Sequence, residues 1–274
     1  MIKRYLFASD FDQTLSFNDS GLVLTEVLGI PNEEFESKAA GMAQLNLVQQ
    51  GAELAYLLLH DPTFNSRVRR HHLIETGKLI PLKKNIELLY ETLREGIPDY
   101  AFELYVLSAA PVEIVQSALE GIVPSDHIYG TEFEWHDDGS IERLIRCTAG
   151  YGKVARIMQL QAELSLGRDH VVYSGDGSSD INAMLHVNEG QGLTIAVSAS
   201  RSVAQTAKRT VLSDNALSVL VPILEEVAEW SQPQIRQFFE SHGFLMQEWA
   251  RTRTDFVTLR PTSTVEQASA AEAE

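Results

Sequence analysis

The chain has 274 residues, 44% of them hydrophobic, with 38 acidic against 22 basic side chains and a formal net charge of −16. That apolar fraction supports a globular core and is too high for a disordered chain, and the acidity disfavours nonspecific nucleic-acid binding, which needs a positive surface. The single cysteine, Cys147, excludes an internal disulfide and a cysteine-based zinc cluster, in keeping with a reducing compartment.

The chain opens on a short apolar run, 5–9, read as a buried strand. The run is cut off by Ser9-Asp10, too early for a signal peptide. No run approaches the roughly 18 apolar residues of a membrane span, so a cytoplasmic protein is expected. Directly after this strand comes Asp10-Phe11-Asp12-Gln13-Thr14. Two carboxylates two residues apart at a strand end repel each other, and a bound cation would offset that cost. A turn or a helix cap is the ordinary alternative for such residues.

Residues 17–95 show no strand pattern. Helical periodicity runs through 22–28, 33–59 and 86–93, with Pro31, Pro62 and Pro81 as punctuation. An all-helical insertion between the first and second strands is expected. It carries a basic run, Arg67-Val68-Arg69-Arg70-His71-His72, which reads as a solvated or internally paired helix face, with contact to an anionic substrate or a partner as the alternative.

The second strand, 102–107, ends at Ser108-Ala109-Ala110-Pro111, and a helix is expected over 111–119. A hydroxyl followed by small residues at a helix start leaves amides open to an anion, although a plain serine cap is the commoner use. Alternating runs at 129–135 and 141–145, around His136-Asp137-Asp138-Gly139-Ser140, predict a hairpin. Lys153 follows Gly150-Tyr151-Gly152 at the start of a helix over 153–164. A cation there opposes the helix dipole, a penalty that pairing with carboxylates or phosphate would relieve.

A third strand, 171–173, runs into Gly175-Asp176-Gly177-Ser178-Ser179-Asp180, again placing two carboxylates at the edge where open α/β sheets bind ligands. A helix over 180–187, a strand over 193–197, a helix over 202–208 and a short strand over 209–212 complete the alternation. Helices should resume from Asn215 to Arg253, broken by Pro222 and Pro233, with the apolar stripe of 217–228 and His186 in structural roles. Trp230, Trp249 and Phe238-Phe239 are expected to dock these helices on the core. The tail 258–274, rich in Ala, Ser, Thr and Glu, is expected to be disordered. The alternation specifies an α/β fold with a parallel sheet between helical layers.

Taken in order, Asp10-x-Asp12-x-Thr14, Ser108, Lys153 and Gly175-Asp176-x-x-x-Asp180 resemble the four motifs of the haloacid dehalogenase superfamily. The spacings of 45 residues from Ser108 to Lys153 and 23 from Lys153 to Asp176 resemble its phosphoserine-phosphatase-like branch. The resemblance covers roughly 3–215. It implies a three-layer Rossmann-like core built from 1–16 and 97–230, a helical C1 cap over 17–96, and C-terminal helices over 231–257. It further implies a Mg²⁺-dependent phosphomonoesterase that acts on a small phosphorylated metabolite through an aspartyl-phosphate. Asp10 would be the nucleophile and Asp12 the acid and base. Asp10, the Asp12 carbonyl and Asp176 would hold the metal, with Asp180 behind them. Lys153 and Ser108, with the Ala109 and Ala110 amides, would hold phosphate, and Thr14 would position the loop. Asp19 falls where that branch has a Glu for the substrate amine, Ser179 where an Asn is common, and Ala109-Ala110-Pro111 where Gly-Gly-Phe is usual. No arginine of the insertion is matched to the one that contacts a substrate carboxylate in that branch. Phosphotransfer through the same intermediate and a non-catalytic binding module are the alternatives; as partners, neither nucleic acid nor membrane is expected, and a monomer or homodimer is.

Overall fold

The computed structural model describes residues 2–95, 97–246 and 249–250. Two compact units are distinguished, 1–235 and 236–274.

The first unit is organised on seven strands: β1 (Lys3–Ser9), β2 (Tyr100–Pro111), β3 (Ile128–Trp135), β4 (Ile141–Arg146), β5 (Val171–Gly175), β6 (Leu193–Ala196) and β7 (Arg209–Thr210). They form one sheet in the order β4-β3-β2-β1-β5-β6-β7. All pairs are parallel except the β3–β4 hairpin. The central strands are buried on both faces, which is why they read as continuous apolar runs. Leu6, Ala8, Leu107, Val171 and Tyr173 pack with Ile157, Leu160, Met184 and Val187 on one face. The alternate positions, among them Phe7, Val106 and Val172, are fully buried on the other.

Twelve α-helices are described. Six precede β2: α1 (Ser20–Val27), α2 (Asn32–Leu45), α3 (Glu53–His60), α4 (Pro62–Arg67), α5 (Arg70–Leu79) and α6 (Ile86–Glu95). The others are α7 (Val112–Ala118), α8 (Tyr151–Leu164), α9 (Ile181–Glu189), α10 (Arg201–Thr206), α11 (Leu220–Glu226) and α12 (Gln232–Ser241). The architecture is the expected Rossmann-like α/β core with an inserted helical segment.

Several local expectations are corrected. The periodic stretch 33–59 is two helices, because Asn46 adopts a left-handed conformation (φ 50°) that ends α2, and residues 46–52 form a loop. β2 runs four residues past Leu107, with a register shift between Leu107 and Pro111, so the next helix begins only at Val112. α6, read as part of the insertion, packs along β2. β7 is two residues long rather than four. Pro222 and Pro233 do not break helices; each lies in a first turn, where its missing N–H has no intrahelical acceptor to lose.

In the second unit, Arg236 Nη1 donates to the Met246 carbonyl at 3.0 Å. The helices expected over 231–257 are realised as α12 alone among the described residues, since 242–246 form a turn and irregular chain after Ser241; residues 251–257 and the tail 258–274 lie outside the described residues. No helix among the described residues is long and apolar enough to cross a membrane.

Candidate active site

The C-terminal ends of β1, β2 and β5 meet at one edge of the sheet. β1 pairs with both neighbours, β2 and β5, so whatever follows each strand is carried to the same place. Asp10, the residue after β1, is held there by its amide, which donates to the Ser174 carbonyl of β5 at 2.9 Å.

Lys153 enters from the first turn of α8 and is fully buried. Its Nζ donates to Asp10 Oδ1 at 2.7 Å and to Asp180 Oδ1 at 2.6 Å. Asp180 Oδ1 also accepts from the Tyr173 hydroxyl at 2.6 Å, and Asp180 Oδ2 from the amides of Asp176 and Gly177, both at 3.0 Å. A Cβ at Gly175 would lie 2.4 Å from the Asp180 carboxyl carbon, so only glycine lets that carboxylate turn back onto the loop that carries Asp176.

Charge does not balance within this cluster. Asp10, Asp176 and Asp180 each offer an oxygen to a common point, with these atoms all within 4.8 Å of one another, and Lys153 supplies one positive charge. Burial, reinforced by Asp180 and only partly opposed by Lys153, pushes Asp10 up to about 7. Burial, then Asp10 and Asp180, push Asp176 up to about 8. Burial presses on the Lys153 ammonium too, but Asp10 and Asp180 more than offset it and hold its pKa above the ordinary lysine range. The same pair thus keeps its lysine proton while Asp10 resists losing its own, because one ammonium serves three carboxylates. Two further positive charges would balance the set, and carboxylate oxygens suit a hard divalent cation. All four of the bonds to Asp180 are already made inside the protein, so Asp10 and Asp176 are the side chains with oxygens left to ligate.

Asp12 lies across the loop and faces elsewhere. Its Oδ1 accepts from the amide and the hydroxyl of Ser20, at the start of α1. Burial first, then Asp19 and Asp10, hold its carboxyl well above the usual range, opposed by the Ser20 hydroxyl and amide. Asp19 caps α1, accepting from the Gly21 amide at 2.7 Å and the Leu22 amide at 3.3 Å. Burial raises its pKa, opposed by those two amides. Thr14 is buried and its Oγ1 has no partner.

Ser108 is buried in β2, and its Oγ accepts from the Ala110 amide at 3.1 Å. The Ala109 carbonyl accepts from Thr131 Oγ1 at 2.7 Å. These bonds hold the Ser108-Ala109-Ala110 segment as an extension of the strand and not as a helix start. Ser179 sits in a 3₁₀ turn over 178–180.

The structure thus joins Asp10, Lys153, Asp176 and Asp180 in one cluster and sets Asp12 and Asp19 around Ser20. It also adds residues that the motifs do not reveal. Tyr173 read as an ordinary strand aromatic, and Ser20 had no signal at all. From the helical insertion, Gln49 donates to the Ala149 carbonyl. Gly51, at φ +89°, approaches so closely that a Cβ there would lie 2.6 Å from Ser179 Cβ and 3.4 Å from Ala109 Cβ. The basic run 67–72 is largely tied up locally. Arg67 donates to the Leu28 and Gly29 carbonyls at the end of α1, Arg69 to the Ser66 and Val68 carbonyls, and Arg70 pairs with Glu113 at 3.5 Å.

A family model described as haloacid dehalogenase-like hydrolase matches residues 7–185. No curated protein matches the chain. Among solved structures, the chain resembles a phosphoserine phosphohydrolase-like protein from Francisella tularensis subsp. tularensis SCHU S4, with a TM-score of 0.60 and 20% identity over 81% of this chain and 99% of that one. It is also similar to a phospho-aspartyl intermediate analogue of phosphoserine phosphatase, with a TM-score of 0.63 and 18% identity over 82% and 99%. A probable phosphoserine phosphatase from Vibrio cholerae aligns with a TM-score of 0.61 and 16% identity over 84% and 68%. At these identities the structural likeness concerns the fold.

Proposed function

The chain belongs to the haloacid dehalogenase-like hydrolases, and on that premise we propose that it is a Mg²⁺-dependent phosphomonoesterase acting on a small phosphorylated metabolite. The observation that carries this reading is the buried Lys153 bridging Asp10 and Asp180 beside Asp176, a cluster left two positive charges short.

Asp10 has one oxygen engaged by Lys153 and one available to attack phosphorus. As the P–O bond to the leaving group breaks, Asp12 acts as the acid and passes a proton to the departing alkoxide, so the alcohol leaves neutral. The product on the protein is an aspartyl-phosphate at Asp10, which splits one difficult displacement into two easier ones. Asp12, now ionised, accepts a proton from water as that water attacks the phosphorus, which releases inorganic phosphate and restores both carboxyl groups. Ser20 orients Asp12 for both transfers. Lys153 offsets the negative charge of nucleophile and phosphoryl group, which would otherwise repel each other. Ser108 and the Ala109 and Ala110 amides would hold phosphate oxygens, the Ala110 amide exchanging its present bond to Ser108 Oγ for one to the ligand, and the unpartnered Thr14 hydroxyl has a hydrogen bond to give in the Asp10 loop.

Asp10, the Asp12 carbonyl and Asp176 would hold Mg²⁺. The ion supplies positive charge that lets an anionic carboxylate approach an anionic phosphate. Asp180 acts behind the site, through its bonds to Lys153 and to the Asp176 amide. The Gln49–Gly51 loop covers the same edge, which favours small substrates.

The test is hydrolysis of p-nitrophenyl phosphate with and without Mg²⁺ by the parent chain and Asp10→Asn. Mg²⁺-dependent release of p-nitrophenol, lost by a factor of about 10⁴ in the variant, is expected. Activity surviving in Asp10→Asn would remove the nucleophile from the proposal.

A further inference from the structure

We infer that Thr131, a buried residue of β3 that belongs to none of the four motifs, is a positioning residue of this site: its hydroxyl aims the Ala110 amide at the phosphoryl group. The inference rests on the phosphomonoesterase reading and extends it to a side chain that sets how tightly phosphate is held.

The pairing of β2 with β3 creates the need for such a residue. Leu107 pairs with Tyr129 and Pro111 with Thr131, so Ser108, Ala109 and Ala110 stand opposite Gly130 alone. Three residues against one is a bulge, and a bulge disrupts the regular ladder of backbone bonds. Here a side chain holds the Ala109 carbonyl: Thr131 Oγ1 donates to it at 2.7 Å. A hydroxyl has one proton, and its other contacts decide where that proton goes. Thr131 Oγ1 accepts from the Thr148 amide at 3.3 Å, and Cys147 Sγ lies 4.0 Å away. Sulfur is a weak acceptor, so the proton goes to the Ala109 carbonyl. Thr148 is anchored in turn, its Oγ1 donating to the Gly130 carbonyl at 2.7 Å. Thr131 is fully buried, so water does not compete for these bonds.

The consequence follows from the planarity of the peptide bond. The Ala109 carbonyl and the Ala110 amide belong to one trans peptide unit, so they point in opposite directions. Holding the carbonyl towards β3 turns the amide away from β3 and towards Ser108 Oγ, which it meets at 3.1 Å. β2 lies between β3 and β1, so the amide is turned to the side on which Asp10 follows β1. Without the Thr131 hydroxyl this peptide unit is free to rotate, and a rotation would present the carbonyl oxygen, with its partial negative charge, to an anionic phosphate. The same hydroxyl also ties the Ser108 segment to Thr148, in the turn that leads into α8 and Lys153. Two parts of the phosphate site that lie far apart in the chain are thereby joined through one buried oxygen.

The experiment uses inorganic phosphate as an inhibitor of p-nitrophenyl phosphate hydrolysis, with Mg²⁺, on the parent chain, Thr131→Val, Thr131→Ser and Thr148→Val. Valine keeps the branched shape and loses the hydroxyl; serine keeps the hydroxyl and loses the methyl group. In Thr131→Val the inhibition constant of phosphate and the KM for p-nitrophenyl phosphate should rise together by about 10-fold, while kcat changes by less than about 3-fold. Thr131→Ser should recover most of the parent's affinity. Thr148→Val removes a neighbouring buried hydroxyl that bonds the Gly130 carbonyl, and should leave both constants near the parent's. A Thr131→Val that lowers kcat and leaves the phosphate constant unchanged overturns the proposal. So does a serine variant as weak as the valine one, or a Thr148→Val that weakens phosphate equally. If Thr131→Val does not fold, the NMR amide resonance of Ala110 in the isotope-labelled parent chain decides. Phosphate with Mg²⁺ should shift it, and an unmoved resonance overturns the proposal. Failure of the phosphomonoesterase reading is distinguished by a parent chain that leaves p-nitrophenyl phosphate intact in the presence of Mg²⁺.

Discussion

The strand-end cluster and the 46–52 loop of the helical insertion meet at the same site but are built by different means. Around Lys153 the contacts are between side chains that are buried in the sheet edge and bonded to one another: Asp10, Asp180 and Tyr173. The loop over 46–52 of the insertion touches that edge through a backbone carbonyl and a missing side chain, Gln49 to the Ala149 carbonyl and Gly51 against Ser179. The first kind of contact cannot be broken without leaving a charge stranded in the interior. The second can separate and re-form with little left unsatisfied. The contrast suggests that the sheet edge determines the chemistry, while the loop over 46–52 controls what reaches it.

The strongest way to break this comparison is at Lys153. Lys153→Met leaves Asp10 and Asp180 buried without their cation, and removing one partner of a buried pair destabilises by about 3–5 kcal/mol. Chemical denaturation should show a loss of that size together with loss of hydrolysis. A stability close to the parent's would mean that the cluster is not integral to the core.

Gly51→Ala probes the other region. The new Cβ meets Ser179 and must adopt φ +89°, so the loop should seat poorly. We expect kcat/KM to fall by about 10-fold with the denaturation midpoint unaltered. A stability loss matching that of Lys153→Met would show that the loop belongs to the core after all.

The smallest effect concerns pH and sharpens the charge count. Asp10 and Asp176 ionise in the fold only near 7 and 8, against about 3.9 for an aspartate in an unfolded chain. Between those values the native metal-free chain binds more protons than the unfolded one. Its stability therefore falls as pH rises through this window, until both groups are ionised above about 8. Mg²⁺ must displace those protons at the acid end and meets free carboxylates at the alkaline end. The rise in melting temperature on adding Mg²⁺ should be a few degrees larger at about pH 8.5 than at about pH 6. An equal shift at both would separate the cation from these carboxylates.

Much of the site was legible because the two acidic motifs sit at the ends of β1 and β5. A run buried on both faces, ended by Asp10 or by Gly175-Asp176, marks a strand and the functional edge beyond it. Periodicity was less able to locate interruptions. The break at Asn46 is made by one left-handed residue within a stretch of unbroken helical pattern. The prolines misled in the opposite sense, since Pro222 and Pro233 sit in first turns where a helix tolerates them.

From the sequence alone followed the α/β alternation, the helical insertion, and the candidate carboxylates, serine and lysine, because local hydrophobic period and strand-end polarity are properties of neighbouring residues. Only the tertiary structure decided that Tyr173 and two backbone amides saturate Asp180, that Ser20 holds Asp12, and that Gly51 must be small. These relations join residues that are distant along the chain or turned back on themselves by a loop. Sheet pairing and the return of the insertion bring them together, and the energy of a buried charge depends on what surrounds it in space.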